Sequence, residues 1–390
     1  MTAKSGTKAR PKGKRSPAAR IFGIILMVLD VLAVAALILC GYAGTISPLK
    51  YGGMWGIFGL AFPLALIAVL LLAFVQMFVH RRGLWVLGLG LIVCAGPILT
   101  FSPINIGRNH READPADSTF TLMAYNVANL KDMRPAGTYD SSYNATLSYI
   151  LHRQPDIVSL SEAKYLCVNP AKTNITAAQM DSVHRVYPHV LVNVDGGTLL
   201  SKYPVDPIHL TLDRDDFRNA ELAAYRISLP GGRLLTLFSV HLQSLALNNN
   251  DRNIYRGVTD LQPDRIDDFK SQLLSKVAYA NVRRAHQAKT ISGLVRHYGG
   301  PNVIIAGDFN DIPGCYSIRT LEDSGFRSVY GELGTGPIIT FNQDRFWFQI
   351  DHILYRGHLR PLWIEKGSNK SSDHYPLEAE FAVTYGRYDN

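Results

Sequence analysis

Four short segments far apart in the chain place acid, amide or imidazole groups at the end of an apolar run. They are Met123-Ala124-Tyr125-Asn126, Leu160-Ser161-Glu162, Ile305-Ala306-Gly307-Asp308-Phe309-Asn310-Asp311 and Ser372-Asp373-His374. Residues 303–306 read as a buried strand, and Gly307 reads as the point where the backbone turns. Alternate strand residues share a face, so Asp308 and Asn310 are expected to project together. A carboxylate beside an amide suits a site that deprotonates a water and holds a phosphate oxygen. Each segment alone has a plainer account as strand-end or turn chemistry; four in one chain do not.

Hydrolysing a phosphoester requires a cation for the non-bridging oxygens, an activated water and help for the leaving oxygen. Glu162, a lone carboxylate after an apolar strand, suits a hard divalent ion such as Mg2+ or Mn2+. Asn126 can orient that carboxylate or bind the metal, and Asp373 can complete the metal's outer shell. Asp308 can position or deprotonate the attacking water. Asn310 and His241 can donate to phosphoryl oxygens, and Asp351 can fix the tautomer of His374 and raise its basicity.

In chain order, Ala124-Tyr125-Asn126, Ser161-Glu162-Ala163, residues 197–204, Val240-His241-Leu242, Gly307-Asp308-Phe309-Asn310-Asp311, Ile350-Asp351-His352-Ile353 and Ser372-Asp373-His374-Tyr375-Pro376 resemble the endonuclease/exonuclease/phosphatase superfamily. The resemblance covers residues 119–381. It implies a four-layered α/β sandwich with two central, mostly antiparallel sheets, and metal-dependent hydrolysis of phosphoesters. It implies Glu162 as metal ligand with Asn126 and Asp373 close by, and Asp308 as the base. It further implies Asn310 and His241 as phosphate contacts, and His374, held by Asp351, as the group that stabilises the transition state. Ser161 departs from the pattern, since many relatives carry Gln before the glutamate.

The elements that must position these groups follow from periodicity. Strands are expected at 119–125, 156–160, 189–194, 197–201, 221–229, 234–241, 302–306, 350–355 and 377–384, and helices at 141–153, 173–185 and 264–298. The last helix is amphipathic, with Arg284 and Gln287 three apart on one face. Arg214, Arg218, Arg283, Arg284 and Arg296 are the residues that could gather into a basic groove. Loops 163–188 and 243–263 are expected to choose the substrate.

The net charge of +8 is unevenly distributed. Residues 1–111 hold 12 Lys+Arg and one acid, Asp30, a balance of +11; residues 112–390 hold the remaining 28 against 31 acids, a balance of −3. The basicity belongs to the N-terminal region, and the larger part has no global signature for binding polyanions. Apolar stretches at 21–43, 54–79 and 84–101 are read as three transmembrane helices. Asp30 in the first is costly in lipid and is expected to face another helix or the interface, and Pro63 to kink the second. Basic residues before the first stretch and Arg81-Arg82 before the third place the N-terminus in the cytoplasm and residues after 101 outside, in the periplasm or the exterior. Residues 1–20 form a basic tail, 21–102 the membrane region, 103–117 a linker and 118–386 the catalytic domain. No Cys/His spacing suits a thiolate zinc site, and whether Cys167 and Cys315 pair is left open.

The chain is thus expected to be a membrane-anchored, Mg2+- or Mn2+-dependent phosphoester hydrolase, using metal-activated attack of water. Its expected substrate is a lipid headgroup, nucleotide or sugar phosphate, with mono- or diester left open. Two other readings stand beside it: an extracytoplasmic non-specific nuclease, and an inactive lipid- or partner-binding module.

Overall fold

The computed structural model describes residues 17–79, 81–164, 166, 173–193, 197–213, 215–245, 250, 251, 253, 273–343 and 346–384. It divides into two compact units, Met1–Leu39 with Phe62–Ala95, and Cys40–Ala61 with Gly96–Asn390.

The first unit is apolar and helical. Helix α1 (Pro17–Tyr42) begins in it, and among the described residues one helix, Arg20–Thr45, is long and apolar enough by itself to cross a membrane. The second expected span is interrupted. Short helices α2 (Pro48–Tyr51) and α3 (Trp55–Leu60) group with the second unit, and α4 (Phe62–Phe78) starts afresh. The Pro63 ring would collide with the Gly59 carbonyl in a continuous helix, so the expected kink is a break. The third stretch is bent by 65° between α5 (Gly83–Val93) and α6 (Ala95–Phe101), where Pro97 has the same effect on Val93. Asp30 is buried as expected, 2.5 Å from the Gln76 Nε2 that donates to it from α4.

The second unit is a four-layered α/β sandwich. One six-stranded sheet runs β13-β14-β1-β2-β4-β3, and the other β5-β6-β7-β8-β12-β9. The strands are β1 (Ser118–Asn126), β2 (Ile157–Ser161), β3 (His189–Asn193), β4 (Gly197–Ser201), β5 (Val205–Ile208), β6 (Glu221–Leu229), β7 (Arg233–His241), β8 (Asn302–Asp308), β9 (Arg327–Ser328), β12 (Asp351–Gly357), β13 (Leu359–Lys366) and β14 (Leu377–Val383). A two-stranded hairpin, β10 (Phe341–Gln343) with β11 (Phe346–Phe348), lies outside both sheets. Pairing is antiparallel except at β1–β2 and β7–β8.

Side-chain alternation builds the layers. Phe120, Leu122 and Ala124 of β1 meet Ile304 and Ala306 of β8 in the core between the sheets. Met123 and Tyr125 face outward under helices α7 (Ala145–Arg153) and α8 (Ala177–Val186). Val303 and Ile305 face the opposite way, under α9 (Leu274–Tyr298) and α10 (Tyr316–Glu322). The expected start of that long helix at 264 lies outside the described residues, as does Cys167; Cys315 is a free thiol.

Candidate active site

Strand register brings the site together. Glu221 pairs with His241, His241 with Asp308, and Asp308 with Asp351, so four strands present a row of polar groups at one end of their sheet. At the corresponding end of the other sheet Asn126 pairs with Ser161, the residue before Glu162. The two rows are joined by the Asn126 amide, whose Nδ2 donates to Asp308 Oδ2 at 3.0 Å and to Glu162 Oε1 at 3.1 Å. His241 Nε2 lies 3.6 Å from Asp308 Oδ2 and 3.8 Å from Glu162 Oε1. His374 Nε2 approaches the same Asp308 oxygen at 3.6 Å, while its Nδ1 sits 2.9 Å from Asp351 Oδ2.

Local backbone chemistry sets these positions. β8 continues through Gly307 to Asp308, so the glycine does not make the turn expected of it. A Cβ there would lie 2.0 Å from Val240 O, and the glycine at φ +141° lets β7 and β8 close up. The strand has ended by Asn310, which adopts φ +50° instead of the extended conformation that would align it with Asp308. Its backbone N donates to Asp308 Oδ1 (2.8 Å) and its side chain to Leu242 O (3.0 Å). Glu162 is also left-handed, at φ +50°, and is held by Asn129, whose backbone N donates to its carbonyl and whose Nδ2 reaches its Oε2 at 3.3 Å. Ser161 donates to Val240 O across the two sheets. Ser372 donates to Asn126 O (2.8 Å) and accepts from His374 N (3.2 Å), which docks the 372–374 turn on the end of β1.

Two participants carried no signal in the sequence. Glu221 Oε2 accepts from the Glu162 backbone N at 3.2 Å. Thr340 Oγ1 accepts from Ile350 N and Asp351 N, and the Phe341 ring beside it stands 4.9 Å from that of His374. A charged residue opening a strand and a threonine in a loop look like surface features until the register is known.

The electrostatics are those of crowded carboxylates. Burial opposes the charged His374 ring, but Asp351, Asp308 and Asp373 outweigh it and raise its pKa to about 10. Burial pushes the half-buried Asp373 carboxyl up; His374 opposes this, and the charges of Glu162 and Asp308 add to the rise. Burial likewise raises Glu221 against the pull of His241. The hard oxygens of Glu162, the accessible carboxylate, and of the neighbouring Asp373 fit a divalent cation, while Asn126 turns its NH2 toward Glu162 and Asp308 and its Oδ1 accepts from Ala128 N. Ligand atoms of Asp308, Asp351 and His374 also lie within 4.8 Å of one another. With Asp351 at its Nδ1 and Asp308 facing its Nε2, the His374 ring in that trio suits proton and charge handling.

Residues 123–374, more than half of the chain, match the model of the Endonuclease/Exonuclease/phosphatase family. The chain belongs to that family. It is therefore a hydrolase of phosphoester bonds. Residues 23–101 match a second model, a domain of unknown function (DUF8431). No curated protein matches the chain. Similar solved structures include the endonuclease/exonuclease/phosphatase from Beutenbergia cavernae DSM 12333, at 12% identity, 68% coverage of this chain and 72% of that one, and a TM-score of 0.44. The human Nocturnin catalytic domain with bound sulfate aligns at 15% identity, 69% and 98% coverage, and 0.45. D. rerio TDP2 complexed with single strand DNA product aligns at 16% identity, 68% and 99% coverage, and 0.42.

Proposed function

We propose that this phosphoesterase is membrane-anchored and Mg2+- or Mn2+-dependent, and that it acts in the periplasm or outside the cell on a phosphoester bearing an apolar group, such as a lipid headgroup ester. The observation that carries the reaction is the convergence of Asn126, Glu162, His241, Asp308 and His374 within one hydrogen-bonded cluster. Asp308 would take the proton of an attacking water. His241 and Asn310 would hold the phosphoryl oxygens, and His374, charged by its carboxylate neighbours, would offset the negative charge that grows in the transition state. A cation held by Glu162, with Asn126 and Asp373 near it, would supply charge neutralisation at the same phosphoryl group. Residues 118–386 would be the catalytic domain, 103–117 the linker, 21–102 the membrane region with three crossings, and 1–20 a cytoplasmic tail.

A cleft of about 1220 Å³ opens from Glu162, Glu221 and His241, and Leu191, Ile208, Leu210, Leu212 and Phe217 contribute to its wall. Lys164, His209, Asp213 and Arg218 line it too, so this mixed wall would suit an ester that joins a charged headgroup to an apolar part. Of the five arginines that could have formed a basic groove, Arg284 is buried, Arg214 lies outside the described residues, Arg218 lines this cleft and is ion-paired with Asp215, and Arg283 and Arg296 lie on α9. Loops 163–188 and 243–263 also lie partly outside them. The purified chain would be assayed on bis-p-nitrophenyl phosphate, sphingomyelin, inositol phosphates and DNA, with and without Mg2+. Metal-stimulated release from the lipid above all others is expected. Preference for DNA would favour the nuclease, and a folded chain inactive on every ester would sink the proposal.

A further inference from the structure

The reaction described above makes no use of α9, yet Arg284 on that helix is among the largest wholly buried side chains, 1% exposed. Its guanidinium donates to Gln243 O at 3.0 Å and to Asn281 Oδ1 at 2.5 Å, and its Nε lies 3.5 Å from Asp311 Oδ2. One turn along, Gln287 Oε1 accepts from Gln243 N at 2.9 Å. Gln243 stands two residues after His241, and the intervening Leu242 donates to Asp308 O and accepts from Asn310 Nδ2. All four backbone polar groups behind His241 are therefore held by α9 or by the site itself. Asp311, which follows Asn310, is held by Ser317 Oγ at 2.6 Å and through its carbonyl by His352 Nε2 at 2.9 Å. Arg284 thus ties together the exits of β7 and β8, the strands that carry His241 and Asp308.

On its other side α9 meets the segment 43–60. Asn281 Nδ2 donates to Gly53 O at 2.9 Å, and the same side chain accepts from Arg284. Glycines close the contact. An added Cβ would lie 1.8 Å from Ala278 O at Gly53 and 2.2 Å from Asn281 Nδ2 at Gly56, both on α9, and at Gly59 3.1 Å from Cys315 Sγ, which precedes α10. At Gly44 it would lie 1.9 Å from Gly314 O. Gly56 and Gly59, three apart on α3, share one face, and Gly53 lies in the turn before it; their small size allows a backbone approach that larger side chains would prevent.

We infer that segment 43–60 is a positioning element of the active site: it seats α9, and through it Arg284 and Gln287 hold the backbone behind His241 and Asp308. The inference rests on phosphoester hydrolysis at this site. A buried guanidinium that loses Asn281 or Gln243 is left with unsatisfied donors, so displacement of the segment is passed to the Gln243 backbone instead of being absorbed locally.

The test uses the full chain in detergent, with bis-p-nitrophenyl phosphate and Mg2+. Gly56→Ala and Asn281→Ala are expected to lower kcat at least tenfold while KM and Mg2+ affinity stay within twofold. Gly23→Ala, whose methyl meets nothing within 4 Å, is expected to change neither. Adding Gly56→Ala to Arg284→Lys should cost no more in kcat than Arg284→Lys alone, because both act through one connection. The Leu242 and Gln243 amides should exchange with deuterium at least tenfold faster in Gly56→Ala. Exchange does not depend on turnover, so a chain inactive on every phosphoester would overturn the functional reading while leaving this coupling measurable. Unchanged kcat and unchanged exchange in folded Gly56→Ala, or fully additive losses, would overturn the inference. Should Gly56→Ala fail to fold, Asn281→Ala, which removes atoms and adds none, carries both readouts.

Discussion

His374 Nδ1 and Asp351 Oδ2 stand 2.9 Å apart, although the aspartate opens a strand of one sheet and the histidine precedes a strand of the other. The pair closes the active site only when the two sheets have packed. The second ring nitrogen remains directed at Asp308, 3.6 Å away.

Asp351→Asn keeps the shape of the pair and removes the charge that favours imidazolium. Its kcat is expected to fall by about 10²-fold or more, with KM within about twofold, because the lost interaction acts mainly in the transition state. Steady-state kinetics on a soluble diester measures this. A loss confined to KM would make Asp351 a substrate-binding residue and the assignment wrong.

Glu221 holds the Glu162 backbone N, and a left-handed glutamate needs such support. Glu221→Ala is expected to weaken Mg2+ or Mn2+ binding by roughly 10-fold, the scale of losses on removing groups that orient metal ligands, and Glu221→Gln, which still accepts a hydrogen bond, by less. Calorimetric titration reads the affinity without reference to turnover. Equal affinity in the alanine variant and the unaltered protein would remove Glu221 from the site.

Burial lowers the His352 pKa to about 4, while hydrogen bonding to Asp311 and the Asp311 and Asp308 charges oppose the fall. The neutral ring fits its partners, since Nε2 faces Asp311 O and Nδ1 faces Gln349 Nε2. Unfolded, the ring titrates near the ordinary histidine value of about 6.5. Between those values the unfolded chain binds a proton that the folded chain does not. Stability is therefore complete above the unfolded pKa and falls as pH drops through the window, by about 2 kcal/mol at pH 5. His352→Gln should lose that part of the slope when unfolding is followed from pH 7 to pH 5. Parallel curves for variant and unaltered protein would contradict the shift.

Strands such as β1 and β8 were legible because alternation or unbroken apolarity follows directly from which faces are covered. β13 was not, because Pro361 and the Glu365-Lys366 end disguise it, and the register shifts between Pro361 and Trp363. The candidate site groups stood out as polar residues ending apolar runs. Glu221 and Thr340 did not, since their roles arise from cross-strand register and loop packing. Apolarity marked 54–60 as the start of a membrane span over 54–79, yet Gly56 packs on α9 and Gly59 on Cys315. An apolar run reports that a surface is covered and not what covers it.

The same crowding of carboxylates gives a direct test of where a cation binds. Asp373 is pushed up by burial and by the charges of Glu162 and Asp308, so a divalent ion at Glu162 would relieve repulsion in the folded protein alone. Mg2+ should then raise Tm by mass action, by about 2.7 kcal/mol of stability at 100 times Kd, and chelation should reverse the rise and abolish turnover. Glu162→Gln is expected to lose the Mg2+-dependent rise, whereas Asp351→Asn keeps it, because His374 and not a cation is the partner of Asp351. If the rise survived in Glu162→Gln and vanished in Asp351→Asn, the cation would belong with Asp308, Asp351 and His374, and the roles assigned to the two sides of the site would have to be exchanged.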